Sequence, residues 1–253
     1  MNSIEVVVTN WKRPGNYEQI VQALREQTIP CTITICDCHH SEEFALPEKV
    51  VNNVDRLYRW GHNLGGYNRY APLGTYDHTY TFFMDDDLLP GKRCLESFLD
   101  VALQMEDEFG VLGQFGRIVP PDNSYSSRDV PRKNHVKEVD FIVQAYFVKT
   151  SRLYTILKFR WKIGYFDDRL PHDDLLLCSS FKYYHDLRSF LLPANEDKES
   201  SLDKSVLNND FGHWKLPEHF PLRQQFIQRL LFYGWEPLYK TGPKYPTEKL
   251  ELC

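Results

Sequence analysis

The feature that most constrains the fold lies in the first forty residues, where the patterns of a strand, a helix and a second strand follow one another. Ile4 to Thr9 is short, apolar and rich in β-formers, and Thr32 to Asp37 repeats that pattern. Between them, Pro14-Gly15 marks a turn, after which apolar residues recur at helical spacing from Tyr17 to Leu24. This order normally means two parallel strands joined by a right-handed crossover. We therefore predict an α/β fold with a mixed, mostly parallel central sheet flanked by helices.

The rest of the chain continues the alternation of strand and helix patterns. Thr79 to Met84 is another apolar run typical of a strand, and Leu95 to Met105 carries the inner stripe of a helix. The patterns also predict a helix start at Asn16 with Gln19 as its capping pair, strands at 111–115 and 141–148, a loop at 120–135, and helices at 173–184 and 222–232. A chain of 253 residues suits one such unit, so we predict a single domain over residues 1–253.

The charge and the apolar runs of the chain limit its expected partners. The net charge is −5, and no run of basic residues would hold a polyanion, so nucleic acid is not an expected partner. No apolar run approaches the roughly 18 residues that cross a bilayer, so we expect no membrane span and a cytoplasmic protein. The six cysteines are scattered over predicted strands and helices, which favours free thiols.

Three consecutive aspartates, Asp85, Asp86 and Asp87, follow the apolar run that ends at Met84. Ligands of open α/β sheets bind at the carboxyl ends of the strands, so this position favours a functional role. Adjacent carboxylates repel one another, and a divalent cation removes that cost; their hard oxygens favour Mg²⁺ or Mn²⁺. Because such an ion keeps open positions for phosphate oxygens, the pattern indicates a diphosphate ligand. The alternative is a solvated acidic turn at the start of the next helix.

The order of these motifs resembles that of the GT-A glycosyltransferases, whose DxD motif closes a strand of the nucleotide-binding sheet and holds Mn²⁺ or Mg²⁺ on the donor diphosphate. The matching segments are 82–87 for the DxD motif, 7–14 for the opening strand and loop, 63–69 for the N-x-G and basic segment, and 166–175 for the segment that carries the general base. The resemblance spans residues 4–215 and extends to inverting family-two-like members, exostosin-like members and algal-virus capsid glycosyltransferases.

The resemblance implies contacts to the donor and to the metal ion. The donor would be contacted by Thr9, Asn10, Arg13, Asp37, Asn63, Arg69, Asp85 and Asp86. Asp85 and Asp87 would hold the ion, and His213, in Gly-His-Trp, would supply a further ligand. One departure from the family pattern concerns the contact of Asp37 with the nucleobase or ribose of the donor. Cys38-His39-His40 follows Asp37, where small polar residues are more usual.

The resemblance also implies a general base that takes the proton of the acceptor hydroxyl. Asp174 matches the second acid of the family's pair, and Asp173 is the alternative, since Asp-Asp stands here where Glu-Asp is commoner. Apart from the resemblance, such an acid pair is also typical of a helix amino terminus, where the macrodipole stabilises it.

The implied function is metal-dependent, inverting transfer of a sugar from a UDP- or GDP-sugar to a hydroxyl of a glycan or glycoprotein. Residues 1–115 would form the nucleotide-sugar-binding half, and residues 116–253 the acceptor-binding half and tail. One alternative is a nucleotidyltransferase acting on a sugar phosphate, although its usual Gly-rich, basic first loop is missing. The other is a non-catalytic carbohydrate-binding protein, in which Trp60, Trp161 and Trp214 stack on sugars; core packing is the competing role for these rings.

Overall fold

The computed structural model describes residues 2–39, 41–106, 108–166, 172–194 and 197–244. Within these residues the strands are β1 (Ile4–Asn10), β2 (Cys31–Asp37), β3 (Arg56–Arg59), β4 (Tyr80–Met84), β5 (Leu89–Pro90), β6 (Val111–Gly113), β7 (Gly116–Arg117), β8 (Lys137–Val139), β9 (Phe141–Ile142), β10 (Ala145–Lys149), β11 (Ser189–Leu191) and β12 (Leu202–Asp203). The α-helices are α1 (Tyr17–Arg25), α2 (Glu48–Val51), α3 (Cys94–Gln104), α4 (Thr155–Lys162), α5 (Asp173–His185), α6 (His219–Phe232) and α7 (Leu238–Thr241).

One eight-stranded sheet organises this single α/β domain, with the strand order β3-β2-β1-β4-β10-β6-β11-β8. Strands β1, β2, β3 and β4 run parallel to one another, whereas β10 runs antiparallel to both β4 and β6. The last residue of β1, Asn10, pairs with Asp37 of β2, and Val8 pairs with Met84 of β4. The three strands therefore end at nearly the same edge, as the predicted βαβ pattern requires.

The alternation of side chains along the central strands divides the core into two layers. Val6 and Val8 of β1 and Phe82 of β4 face a layer shared with α1 and α3. Val7 and Phe83, one position away, face a second layer shared with α4, α5 and α6. Because successive strand residues point to opposite faces, a continuous apolar strand is buried on both sides. The sheet is flanked by helices, as predicted, and within the described residues no helix is long and apolar enough to cross a membrane.

Two expectations about local structure are wrong. The predicted strand 141–148 is divided into β9 and β10, because Gln144 between them has a left-handed backbone with φ of 67°. Asn16 does precede α1, but its side chain makes no cap hydrogen bond and Gln19 does not pair with it. Instead, the Asn16 amide group donates to the carbonyl oxygens of Asp86 and Asn208, each at 2.8 Å. Asn16 thus ties the acidic turn to a segment far along the chain.

Substitution of Asn16 separates the capping role from this bridging role. Asp is as good a helix N-cap as Asn, but a carboxylate at this position would face two carbonyl oxygens. We expect Asn16→Asp to lower the free energy of unfolding by more than Asn16→Ala, which should cost about 1–3 kcal/mol because buried carbonyl groups lose their donor. Urea unfolding measures both variants. Wild-type stability of Asn16→Asp would restore the capping interpretation.

Candidate active site

A cavity of about 670 Å³ opens at the sheet edge where β1 and β4 end. Ten of the residues predicted for the donor, metal and catalytic sites line it: Thr9, Arg13, Asn63, Arg69, Asp85, Asp86, Asp87, Asp173, Asp174 and His213. They come from five separate stretches of the chain. The fold therefore gathers distant, mostly polar residues around one concave space, which is the usual character of a ligand site.

The acidic turn after β4 is held by Arg13 from the loop after β1. The Arg13 guanidinium forms ion pairs with Asp86 and, at 2.6 Å, with Asp87. The other carboxylate oxygen of Asp87, Oδ1, is buried and has no hydrogen-bond partner within the described residues. Burial, assisted by the charge of Asp87, raises the pKa of Asp86 to about 6. The turn thus concentrates more negative charge than one guanidinium neutralises.

A second buried guanidinium, that of Arg69, connects the acidic turn to the start of α5. Its Nη2 donates to Asp85 at 2.9 Å, its Nη1 donates to the Tyr146 hydroxyl, and its Nε lies 3.6 Å from Asp173. The Tyr146 hydroxyl in turn donates to Asp173 Oδ2 at 2.6 Å. Burial, followed by the repulsion of Asp87, raises the pKa of Asp85 to about 7 even though Arg69 opposes the shift.

Asp174 occupies a different environment from its neighbour Asp173. Both of its carboxylate oxygens accept from Arg223 of α6, at 3.0 and 2.8 Å. A second nitrogen of Arg223 donates to the Tyr125 hydroxyl at 2.8 Å. Burial raises the pKa of Asp174, whereas the ion pair with Arg223 acts against that shift. The sequence pattern did not identify Arg223 or Tyr125 as site residues. One signal was present, because Arg223 lies three residues before Phe226 on the inner stripe of the helix, where a charged side chain is expected to have a buried partner of opposite charge.

The donor set of the acidic turn fits a divalent cation in its chemistry. Carboxylate oxygens suit Mg²⁺ or Mn²⁺, and Oδ1 of Asp87, which has no hydrogen-bond partner in the part of the chain that the structure describes, is an acceptor beside Asp85 and Asp86. His213 makes no contact with the acidic turn among the hydrogen bonds of the described residues; its ring contacts His219, with 3.5 Å between the two Nδ1 atoms. Burial lowers the pKa of both imidazoles, that of His219 to about 3.

Among the described residues, a different trio brings three ligand atoms close enough together for a metal ion: Glu5, Asp77 and His78. This trio does not border the cavity. Arg56 donates hydrogen bonds to both acids of the trio, Glu5 and Asp77, so we interpret the trio as part of an ion-pair network.

Two predicted donor residues, Asn10 and Asp37, lie outside the cavity lining. Both are buried, and the Asn10 amide donates to Asp37 Oδ1 at 2.9 Å. His39 Nδ1, at 2.7 Å, and Arg59 Nε, at 3.2 Å, also contact the Asp37 carboxylate. In this arrangement Asp37 joins the ends of β2 and β3. The acids Asp167 and Asp168, which belong to the segment matched to the general base, lie outside the described residues.

Gln144 is a cavity residue that the sequence analysis missed. Its backbone carbonyl accepts the Asp85 N–H at 3.0 Å, and its left-handed φ of 67° is unusual for a residue other than Gly, Asn or Asp. Its side chain lines the cavity, where Oε1 is buried without a hydrogen-bond partner in the described part of the chain. The one available signal was a polar residue inside an apolar strand pattern.

The three candidate tryptophans for sugar stacking have different surroundings. Trp60 does not line the cavity itself, but its Nε1 donates at 3.0 Å to Asn68, which does. Trp214 is half-exposed and borders the cavity, and Gly212 leaves room for its ring, since a Cβ there would lie 2.6 Å from Trp214 Nε1. Trp161 is highly exposed and does not border the cavity.

Comparison with solved structures identifies the fold. A fragment of S. aureus TarS, residues 1–349, in complex with UDP superposes with a TM-score of 0.55 and 17% identity, covering 76% of this chain and 58% of that one. A second TarS structure gives 0.54 and 19%, covering 76% of this chain and 35% of that chain. The chain thus spans less than two thirds of the TarS structures that it matches. No protein-family model and no curated protein sequence matches it. At 17–19% identity these similarities show the fold alone, which is GT-A-like.

The buried carboxyl group of Asp86 should give the stability of the protein a defined pH dependence. Its pKa rises from an ordinary 3.8 to about 6 on folding, so between these values the folded protein binds a proton that the unfolded chain releases. The contribution to stability is therefore complete below pH 4 and is lost as the pH rises through 6. We expect wild type to lose up to about 3 kcal/mol relative to Asp86→Asn between pH 4 and 7. Urea unfolding across this range measures the difference, and parallel profiles would contradict it.

Proposed function

We propose that this protein is a glycosyltransferase that moves a sugar from a nucleotide-diphosphate sugar to a hydroxyl of a glycan acceptor. The observation that carries the proposal is the convergence of ten predicted site residues on one cavity at the carboxyl edge of β1 and β4. The GT-A-like fold supports it, and TarS, of similar fold, was solved with UDP. We assign residues 1–115 to the donor half and residues 116–253 to the acceptor half and tail.

The donor diphosphate is proposed to lie between the acidic turn and the two arginines. Asp85 and Asp87 would hold Mn²⁺ or Mg²⁺, which stabilises the charge that develops on the leaving diphosphate. Arg13 and Arg69 already pair with these acids, so phosphate oxygens could replace part of their contacts. His213 is proposed as a further ligand, which requires a change in its present contact with His219.

The general base is proposed to be one carboxylate of the Asp173-Asp174 pair, and the contacts favour Asp173. The sequence match favoured Asp174, but both oxygens of that residue are engaged by Arg223. Asp173 accepts from Tyr146 through Oδ2 only, and its Oδ1 lies against Gly66, where a Cβ would meet it at 2.0 Å. We therefore assign proton abstraction to Asp173 and a positioning role to the Asp174–Arg223 pair, in an inverting displacement.

Calorimetric titration of UDP and GDP, with and without Mn²⁺, tests the donor site. We expect one nucleotide to bind tightly only when Mn²⁺ is present, because the cation links the acidic turn to the diphosphate. Asp87→Ala should weaken that binding by more than about tenfold, whereas Asp100→Ala, an exposed acid on α3 outside the cavity lining, should leave it unchanged.

Each other result of this titration points elsewhere. Unchanged Mn²⁺-dependent affinity in Asp87→Ala would remove Asp87 from the metal site. Tighter binding and greater thermal protection by a nucleoside triphosphate would favour the nucleotidyltransferase alternative. Failure of both nucleotides to bind would favour the non-catalytic carbohydrate-binding alternative.

Substitution of the two acids at the start of α5 tests the assignment of the base. We expect Asp173→Asn to lower the transfer rate by about 10²–10⁴-fold with little effect on UDP affinity, since general bases contribute about that much. Asp174→Asn should instead lower the free energy of unfolding by about 3–5 kcal/mol, because it leaves Arg223 buried without its counter-charge. The double variant Asp174→Asn/Arg223→Met should recover much of this loss.

Transfer rates, urea unfolding and the anomeric configuration of the product decide between the two acids. A folded Asp174→Asn that is inactive, together with an active Asp173→Asn, would return the role of base to Asp174. Retention of the donor's anomeric configuration in the product would show that neither Asp173 nor Asp174 acts as the general base of an inverting displacement.

A further inference from the structure

A surface outside the cavity exposes an unusual group of large apolar side chains. We call it the aromatic-basic face, and define it by Tyr154, Leu157, Lys158, Trp161, Lys162, Phe166, Tyr183, Tyr184 and Phe232. Trp161 is 74% exposed and Phe232 is 83% exposed. The face is built from α4, the turn that follows it, and the ends of α5 and α6. None of its residues lines the cavity.

Contacts across the face connect the three helices. The rings of Trp161 and Phe166 meet edge to face at 4.9 Å between centroids. Lys162 Nζ lies 5.2 Å from the centre of the Tyr183 ring on α5. The guanidinium of Arg229 donates to the carbonyl of Gly164 at 3.0 Å, which brings α6 against the end of α4; Phe232 is one turn further along α6. The exposed rings therefore belong to one continuous surface.

The charge of this surface differs from that of the whole chain. The segment 149–164, which contains α4, has five basic residues and no acidic one, in a chain whose net charge is −5. Lys158 and Lys162 are the exposed bases of α4. Each lies over an aromatic ring of the face, Lys158 at 4.7 Å from Tyr154 and Lys162 over Tyr183. The average charge of the chain concealed this local excess.

The combination of side chains distinguishes between possible occupants. Protein interfaces are depleted in Lys, which disfavours a second copy of the chain. Proteins that bind single-stranded nucleic acid stack its bases on exposed aromatic rings, but aliphatic side chains such as Leu157 add little to that binding. Trp, Phe and Leu combined with Lys on one surface are typical of proteins that lie on a bilayer, where rings enter the head-group region and lysines attract anionic lipids.

We propose that the aromatic-basic face binds the surface of an anionic lipid bilayer. Trp161 and Phe232 insert at the level of the head groups, and Lys158 and Lys162 contact the lipid phosphates. The association is peripheral and reversible. It does not depend on the proposed transferase activity, since the face and the cavity share no residue.

Sedimentation of the purified protein with vesicles tests the proposal. We expect binding to vesicles of phosphatidylcholine mixed with phosphatidylglycerol, weaker binding to phosphatidylcholine alone, and weakening of the anionic preference by salt. Trp161→Ala/Phe232→Ala should reduce binding by at least about tenfold, since two large apolar side chains no longer enter the head-group region. Lys158→Glu/Lys162→Glu should remove the preference for anionic vesicles. Leu103→Ala, an exposed apolar residue on α3, is the matched control and should bind as wild type does.

Unfolding midpoints of the variants separate loss of binding from loss of folding, and little change is expected because the substituted side chains are exposed. Failure of the wild type to sediment with either kind of vesicle would overturn the proposal, as would equal weakening by Leu103→Ala. Concentration-dependent dimerisation that Trp161→Ala/Phe232→Ala abolishes would assign the face to a second copy. Binding of single-stranded RNA in place of vesicles would assign it to nucleic acid.

Discussion

The arrangement of the site depends on the contacts of one buried group, the guanidinium of Arg69. It contacts the acidic turn through Asp85, the antiparallel strand β10 through Tyr146, and the start of α5 through Asp173. These three elements come from distant parts of the chain, and two of the side chains, Asp85 and Asp173, are carboxylates that would otherwise repel each other. A planar group with several donors in fixed directions can hold all three at once, which a flexible ammonium group cannot do as rigidly. The position of Asp173 relative to the acidic turn therefore depends on one side chain.

The same network makes the site energetically costly. Asp86 and Asp174 are buried, with Arg13 partly buried beside the first and Arg223 buried beside the second. Pairs of this kind seldom stabilise a protein more than a well-packed apolar core would. The elevated pKa values of Asp85 and Asp86 express this cost, because each charge exists in a setting that favours the neutral form. Proteins retain such arrangements chiefly at sites where charge is needed for binding or reaction. The apolar layers on both faces of the sheet supply the stability that permits them.

The parts of the molecule that the sequence predicted are those determined by local pattern. Strands β1, β2 and β4 and helix α5 were predicted within a residue or two, because continuous apolar runs and helical periodicity arise from neighbouring residues. The acidic turn was found for the same reason. Asn16 was misread because the same side chain serves a local cap or a distant carbonyl equally well. Gln144, Tyr125 and Arg223 gain their roles from partners far along the chain, such as the contact between Arg223 and Asp174, which no local pattern specifies.

Helices α5 and α6 share an orientation that affects what the protein can reach. Each begins at the cavity, with Asp174 and Phe220 in its lining, and each ends at the aromatic-basic face, with Tyr183 and Phe232. At 1.5 Å per residue, these positions are separated by about 14 Å along α5 and about 18 Å along α6. Anything that rests against the ends of these helices is therefore held several sugar lengths from the acids. A substrate anchored to that same surface would need an extended chain to arrive at the cavity, whereas a freely diffusing one would meet no such requirement.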